Sequence, residues 1–378
     1  MHRMKNKKLL ILGMGPSQFD LALVAKENGM NVYAVGRDVY EPMKEYLDDY
    51  AFIDILDIDG IVAYAEEKQV DVVFSAALEL SLLPIAQVSK RLGLNTFFTE
   101  ESLSLFDDKG VWREQLGDIT GNLEFQVGKT AEDFLEWSIY PAILKPVDGS
   151  GQRGVVRINN YDELKAKIER SKSFSKLGSV IVERFAEGEE ISVNSIMENG
   201  ELRFAMVSDR LSHEDLPGGL IKEHHVPSKY DHGELREKFL QVVENVNKKM
   251  GFTDGHIYFQ MKVSGDDVAL IEFTPRFDGC HLWKLIETAT GLNLLQVALE
   301  QLIYGSSKSL DSYEEVDLTG KKYVLEFASA KPETEFQHGD YTIPNNATHK
   351  FFYYEDGEQV KRVTGILEKA GYFIYEVN

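Results

Sequence analysis

Residues 143–155 read I-L-K-P-V-D-G-S-G-Q-R-G-V, an apolar run that ends on Lys145 and opens into a loop carrying Gly149, Ser150, Gly151, Arg153 and Gly154. Glycines let a backbone come close to an anion, and the N–H groups freed by that approach can bind polyphosphate oxygens. Lysine adds a compact point charge suited to phosphate. A glycine-rich hairpin after a strand is a plain turn about as often as a ligand loop. The segments on either side decide between the two.

Downstream, Val180 to Glu190 reads V-I-V-E-R-F-A-E-G-E-E, a strand that turns and resumes at Ile191–Ile196. The exposed backbone at such a strand end, beside the Glu183 carboxylate, can bind the edge of adenine, and Glu190 can reach ribose hydroxyls. Gln260 and Glu272 fall on two predicted strands, 257–263 and 268–273, joined by the hairpin Ser264-Gly265-Asp266-Asp267. Pairing those strands puts both side chains on one face as oxygen ligands, which hard Mg²⁺ takes alongside phosphate oxygens. Arg276, four residues past Glu272, can stabilise charge on a transferring phosphoryl group or a tetrahedral carbon.

Upstream, residues 8–105 alternate apolar runs with helical patterns: strands at Leu9–Leu12, 31–36, 51–55 and 70–74, helices over 19–28, 60–68 and 79–92. That alternation predicts a parallel sheet covered by helices on both faces. Strand-like 123–127, 142–144, 154–158 and 179–182 surround helices near 131–137 and 161–170 and predict a small α+β lobe. A long amphipathic helix is predicted over 233–250, a second apolar helix over about 281–304, and short strands at 323–328, 349–354 and 372–377.

Composition narrows the classes. A chain of 378 residues is long for one compact core. Its formal net charge of −21 argues against nucleic-acid binding, which needs a basic footprint. One cysteine, Cys280, excludes an internal disulfide framework and fits a reducing cytosol. The apolar run after Lys8 is too short for a signal-peptide core, and the longest apolar stretch, 70–88, is interrupted by Asp71, Glu79 and Pro84. The expectation is a cytoplasmic protein with no membrane contact. Gly121–Thr130 has six residues between its glycines where a P-loop needs four. Gly13-Met14-Gly15, with Asp38 further on, has Gln18 where a dinucleotide fingerprint has its third glycine.

In order and spacing these segments resemble the ATP-grasp superfamily, especially its carboxylate–amine ligases and the synthetase halves of carbamoyl phosphate synthase. Asp108-Lys109-x-x-x-Arg113 is similar to the family's first ATP-lysine segment and Ile143–Pro146 to its second. The resemblance makes 148–154 the mobile phosphate loop, Glu183, Arg184, Phe185 and Ala186 the adenine hinge, and Glu190 the ribose-binding glutamate. It makes Gln260 and Glu272 the metal pair and Arg276 the arginine of E-x-N-P-R. Thr274 stands where the family commonly has asparagine, so its hydroxyl replaces an amide oxygen as a third metal ligand. Gly15, Glu79, His225, Gly279 and His281 become candidate substrate contacts, with Cys280 either lining the acceptor pocket or packing.

The implied fold is α/β: a Rossmann-like pre-ATP-grasp domain over 1–105, a small lobe with the glycine-rich lid over 106–185, a large lobe with the metal site over 186–310 and a β-rich C-terminal subdomain over 311–378. The implied activity is ATP-dependent activation of a carboxylate as an acyl phosphate, with ADP released, and its joining to an amine. The cofactors would be ATP and Mg²⁺ or Mn²⁺, and the partners small-molecule substrates and a second copy in a homodimer. The competing readings are a bicarbonate-using carboxylase or carbamoyl-type synthetase, a non-catalytic ATP sensor, and an NAD-binding oxidoreductase on the first hundred residues.

Overall fold

The computed structural model describes residues 4–149, 151–213, 215–216, 219–363 and 365–377. Lys8–Leu12 (β1), Asn31–Val35 (β2), Asp49–Ala51 (β3) and Val72–Phe74 (β4) form a parallel sheet in the order β3-β2-β1-β4. Helices Pro16–Glu27 (α1), Ile58–Lys68 (α2) and Leu82–Leu92 (α3) connect or follow the strands. Strand alternation sends Leu9 and Ile11 into a core shared with α1, and Leu10 and Leu12 into another under α2 and α3. Both faces are therefore apolar, as a parallel sheet requires.

Two short helices follow, Glu100–Phe106 (α4) and Lys109–Leu116 (α5). Thr99 and Ser102 form a reciprocal cap for α4, and the Asp108 carboxylate accepts the Gly110 and Val111 N–H groups at the start of α5. That second cap fixes Lys109 at the first helical position. Neither helix is foreseen by the sequence reading. The small lobe is the antiparallel sheet β5-β8-β6-β7, built from Phe125–Gly128 (β5), Ala142–Pro146 (β6), Val156–Ile158 (β7) and Val180–Arg184 (β8), with helix Tyr161–Lys172 (α6) on one side. The helix expected near 131–137 is a single 3₁₀ turn at Ala131–Phe134.

The remaining strands make one eight-stranded sheet. They are Glu189–Glu198 (β9), Glu201–Ser212 (β10), Ile221–Val226 (β11), Gly255–Ser264 (β12), Asp267–Thr274 (β13), Lys322–Ala330 (β14), Ala347–Phe352 (β15) and Glu368–Val377 (β16), in the order β13-β12-β9-β10-β11-β14-β16-β15. The last three strands thus continue this sheet through the β11–β14 pairing. Gly233–Met250 (α7) matches its expected span, whereas the single helix expected over 281–304 is two, Leu282–Thr290 (α8) and Leu294–Tyr304 (α9), followed by Lys308–Asp311 (α10). Gly291, in the left-handed region at φ +77°, closes α8, and the Asn293 side chain caps α9.

Alternation gives the large sheet two unlike faces. Ile191, Val193, Val207, Ile257, Phe259 and Phe273 turn to one face and pack with Phe239, Val242, Val243 and Val246 of α7. Their neighbours in sequence turn the other way. Register pairs Glu190 with Lys262, Ser192 with Gln260, Ser192 with Ser208, Gln260 with Glu272 and Arg210 with His224. Cross-strand partners share a face. One end of the sheet therefore presents a polar face, and farther along the same face Ile196 and Phe204 join the core that contains residues of α8 and α9.

Candidate active site

Charge in the small lobe is concentrated on Glu183, at the end of β8. Its two carboxylate oxygens accept from Arg113 Nε at 3.0 Å and Lys145 Nζ at 2.7 Å. Arg113 is fully buried and also donates to Asn122 Oδ1 at 3.0 Å and the Leu270 carbonyl at 2.8 Å, tying the small lobe to β13. Burial alone would push the Glu183 pKa up, but Arg113 and Lys145 outweigh it and hold the carboxyl near 2. Burial pulls Lys145 below lysine's ordinary value, and Glu183 opposes that fall. The ammonium next to the glycine loop is held in one position by an internal anion.

Lys109 Nζ donates to the Gly149 carbonyl at 2.8 Å, and its backbone N–H to the Val147 carbonyl at 2.9 Å, so the first lysine segment folds directly onto the glycine loop. Gly151 and Gly154 take positive φ, +64° and +76°, which favours glycine at both. Ser150 lies outside the described residues. At the hinge, the Arg184 and Phe185 N–H groups are bonded to the Glu124 and Pro141 carbonyls. The Phe185 ring lies between Arg157 and Lys262, 4.3 and 5.2 Å from its centroid. Lys262 belongs to the polar face of the large sheet, so the hinge and that face adjoin.

On that face Gln260 Nε2 donates to Glu190 Oε2 at 3.1 Å, and Arg210 pairs with the same carboxylate oxygen. Gln260 lies opposite Glu272 across β12–β13, next to a bulge at Gln260 and Met261. Glu272 is exposed, and its carboxylate has no hydrogen bond or ion pair among the described residues. Thr274, two residues on, is buried, and its Oγ1 has no partner among the described residues. An outward carboxylate, a cross-strand amide and an orphaned hydroxyl on one face are a donor set that fits a hard divalent cation.

Arg276 continues the line. Its Nη2 donates to Glu79 Oε2 at 2.9 Å and its Nη1 to the Phe277 carbonyl at 3.0 Å. Glu79 comes from the turn before α3, so this pair joins the parallel-sheet domain to the large sheet. Phe277 N–H on the Ala76 carbonyl, at 3.2 Å, reinforces the junction.

Residues 138–284 match the family model for an ATP-grasp domain. The chain carries an ATP-grasp domain. Beyond it, the chain is 24% identical over 280 residues to the alanine–anticapsin ligase of Bacillus amyloliquefaciens; the match covers 67% of this chain and 58% of that ligase, so the chain spans less than two thirds of that relative. It is 25% identical over 362 residues to the formate-dependent phosphoribosylglycinamide formyltransferase of Corynebacterium glutamicum, covering 86% of each. The crystal structure of the L-amino acid ligase from Bacillus licheniformis superposes with a TM-score of 0.78 over 98% of this chain and 93% of that one, at 16% identity. The overall fold is that of ATP-grasp enzymes.

Within the ATP-grasp domain the structure gathers Lys145, Gly149, Gly151, Gly154, Glu183, Arg184, Phe185, Ala186, Glu190, Gln260, Glu272, Thr274 and Arg276 along two adjoining sheets. Lys109 and Glu79 reach them from outside it. Other expected contacts fall elsewhere. His225 turns to the opposite face from Arg210, where Nε2 meets Glu223 Oε2 at 2.8 Å, and it lines a cavity of about 1820 Å³ that also takes in Glu190, Arg210 and Lys262 and reaches the loop at 313–322. His224 is the histidine on the polar face. His281 is buried with Nδ1 on Asp20 at 2.8 Å and Nε2 on Tyr353 Oη at 2.9 Å, so both nitrogens are bound within the protein. Gly279 offers its carbonyl to Lys369 at 3.4 Å, and Gly15 serves as the N-cap of α1. Sequence reasoning misses Arg113 as a buried partner and Arg210 altogether. Arg113 stands in the quoted lysine segment, but only its burial reveals the role.

Proposed function

We propose that this chain is an ATP- and Mg²⁺-dependent ligase that activates a carboxylate as an acyl phosphate, releases ADP and joins the acyl group to an amine. The observation that carries the reading is the pairing of Gln260 with the unpartnered Glu272 on a face that adjoins the hinge and ends at Arg276. The ligase class named for the relatives supports it. A cytoplasmic location, a homodimer and the four-part division at 105, 185 and 310 belong to the same proposal; no described helix is long and apolar enough to cross a membrane.

The chain's own residues bind and orient. The Ala186 N–H, which takes no backbone partner among the described residues, faces the edge of adenine, and Glu190 accepts from ribose hydroxyls. Lys145 and Lys109 hold α- and β-phosphate oxygens, Lys145 exchanging part of its Glu183 contact for phosphate. A divalent cation held by Gln260, Glu272 and Thr274 would neutralise the β- and γ-phosphates. The glycine loop covers the γ-phosphate and excludes water that would hydrolyse the acyl phosphate. Arg276 holds the acid in line with the phosphorus and stabilises the oxyanion formed when the amine attacks.

The test is a screen of pooled amino acids and small carboxylates for substrate-dependent ADP release, with hydroxylamine as a trap. A hydroxamate formed with stoichiometric ADP supports the reading. ADP release with bicarbonate alone would move the chain to carboxylase chemistry. Tight ATP binding with no turnover on any acid would make it a sensor.

A further inference from the structure

On the same polar face, across the sheet from Gln260 and Glu272, three side chains that bind transition metals converge. His224 projects from β11, and Asp278 and Cys280 stand in the loop between β13 and α8. A ring nitrogen, a carboxylate oxygen and Sγ all lie within 4.8 Å of one another. The residues are 0%, 3% and 5% exposed. Among the described residues neither His224 ring nitrogen has a hydrogen-bond partner in distance and angle, although the Asp209 backbone lies close enough to act on the ring. A buried polar group left in this way costs about 1–3 kcal/mol, so the cluster is built around something that the imidazole can bind.

The neighbours narrow what that is. Asp278 accepts the Cys280 and Leu282 N–H groups at 3.0 and 3.3 Å, one on each oxygen, which orients the carboxylate and leaves lone pairs on both. Lys369 is the adjoining ammonium, with Nζ 3.1 Å from Cys280 Sγ, 3.4 Å from the Gly279 carbonyl and 4.1 Å from the centre of the Phe327 ring. Arg210 lies on the same face and pairs with Glu190. The Lys369 ammonium meets the sulfur and does not serve the imidazole, whose lone pair needs an acceptor not already engaged by an anion. One small divalent ion meets nitrogen, oxygen and sulfur together.

We propose that His224, Asp278 and Cys280 bind a divalent transition-metal ion of the zinc type, at a site distinct from the hard-cation site of Gln260 and Glu272. Mixed N, O and S ligation selects such ions over Mg²⁺. Three protein ligands leave a fourth position open. Cys280 gives up its thiol proton to bulk water as the sulfur–metal bond forms, and Lys369 donates an N–H to the bound thiolate as an outer-shell partner.

Cys280 is the chain's one cysteine, which makes the test unambiguous. Co²⁺ is titrated into the full chain without ATP or Mg²⁺. The expected result is one equivalent bound with a thiolate-to-cobalt charge-transfer band, displaced by Zn²⁺, lost in Cys280→Ser and retained in Glu272→Gln. Zn²⁺ should also raise the melting temperature of the unaltered chain, a readout that does not depend on any variant folding. No charge-transfer band at excess Co²⁺ overturns the proposal. So does a band of unchanged affinity in His224→Phe, which would mean adventitious binding to the thiol.

Discussion

The two sides of the proposed nucleotide cleft treat charge in opposite ways. In the small lobe Lys145 and Arg113 are buried and already bound to Glu183. On the large sheet, among the described residues, the exposed Glu272 carboxylate has no partner and neither does the buried Thr274 Oγ1. The difference fits the group that each side is proposed to receive. Cations that meet a phosphate must be fixed beforehand, and only an internal anion holds a lysine still in a dry place. Ligands that meet a metal ion bring the negative charge themselves and must remain unpaired until it arrives. Substitutions on the two sides should therefore fail differently, one in stability and one in turnover.

The largest effect is expected at Glu272. Glu272→Gln should lower ATP turnover on the order of a thousandfold, about 4 kcal/mol of transition-state stabilisation, while the melting temperature stays nearly unchanged because the carboxylate is exposed. ADP release and thermal denaturation of the same preparation check both halves. A variant that keeps its turnover removes Glu272 from the metal site.

Glu183→Gln should show the reverse. It leaves Lys145 and Arg113 buried with one weak acceptor, at a cost of about 3–5 kcal/mol in stability, read by denaturant unfolding. The acid limb of stability should change as well. The Glu183 pKa is depressed from an ordinary 4.5 to about 2, so its stabilisation is complete above the ordinary value and is lost as the pH falls through the folded one. The shift corresponds to roughly 3 kcal/mol. The parent should lose stability between about pH 4.5 and 2 more steeply than the Gln variant; parallel curves would mean that Glu183 is not held ionised.

These pairs also mark how far the sequence can be read. Alternation in 191–196, 257–263 and 268–273 is visible because each strand buries one face against α7, and the period-2 pattern results. Gln260 and Glu272 come with it, since a short hairpin sets their register. Arg113 with Glu183 and Arg276 with Glu79 are joined through tertiary packing across long separations, which no local pattern encodes. β11 escapes the sequence reading because it is central in the sheet yet carries Lys222, Glu223, His224 and His225, a polar run without strand-like alternation. For the same reason the sequence points to His225 rather than His224: which of two adjacent histidines faces the site is set by register with β10 alone.

Within the glycine loop, two positions separate the cost of conformation from the cost of packing. Gly151→Ala places its methyl in open space and pays only for the positive φ, about 1 kcal/mol. Gly154→Ala meets Phe174 at 2.8 Å, Pro146 at 3.0 Å and the Ser171 carbonyl at 3.1 Å as well. It should lose about 2–3 kcal/mol and raise the KM for ATP several-fold more than the Gly151 variant. Equal losses at the two positions would show that conformation outweighs packing in the loop.

The smallest effect is the most discriminating, because its two readouts should have opposite signs. Thr274→Val keeps the shape of the side chain and removes a buried hydroxyl that has no partner among the described residues. Removing such a group should stabilise the nucleotide-free chain by up to about 1 kcal/mol. If that hydroxyl is held in reserve for a cation, the same change should raise the Mg²⁺ concentration needed for half-maximal turnover several-fold. Thr274→Asn, which supplies a stronger amide oxygen, should lower that concentration. A valine variant that is more stable and equally responsive to Mg²⁺ would reduce the metal site to Gln260 and Glu272, and the unpartnered hydroxyl would then be a cost of the local packing alone.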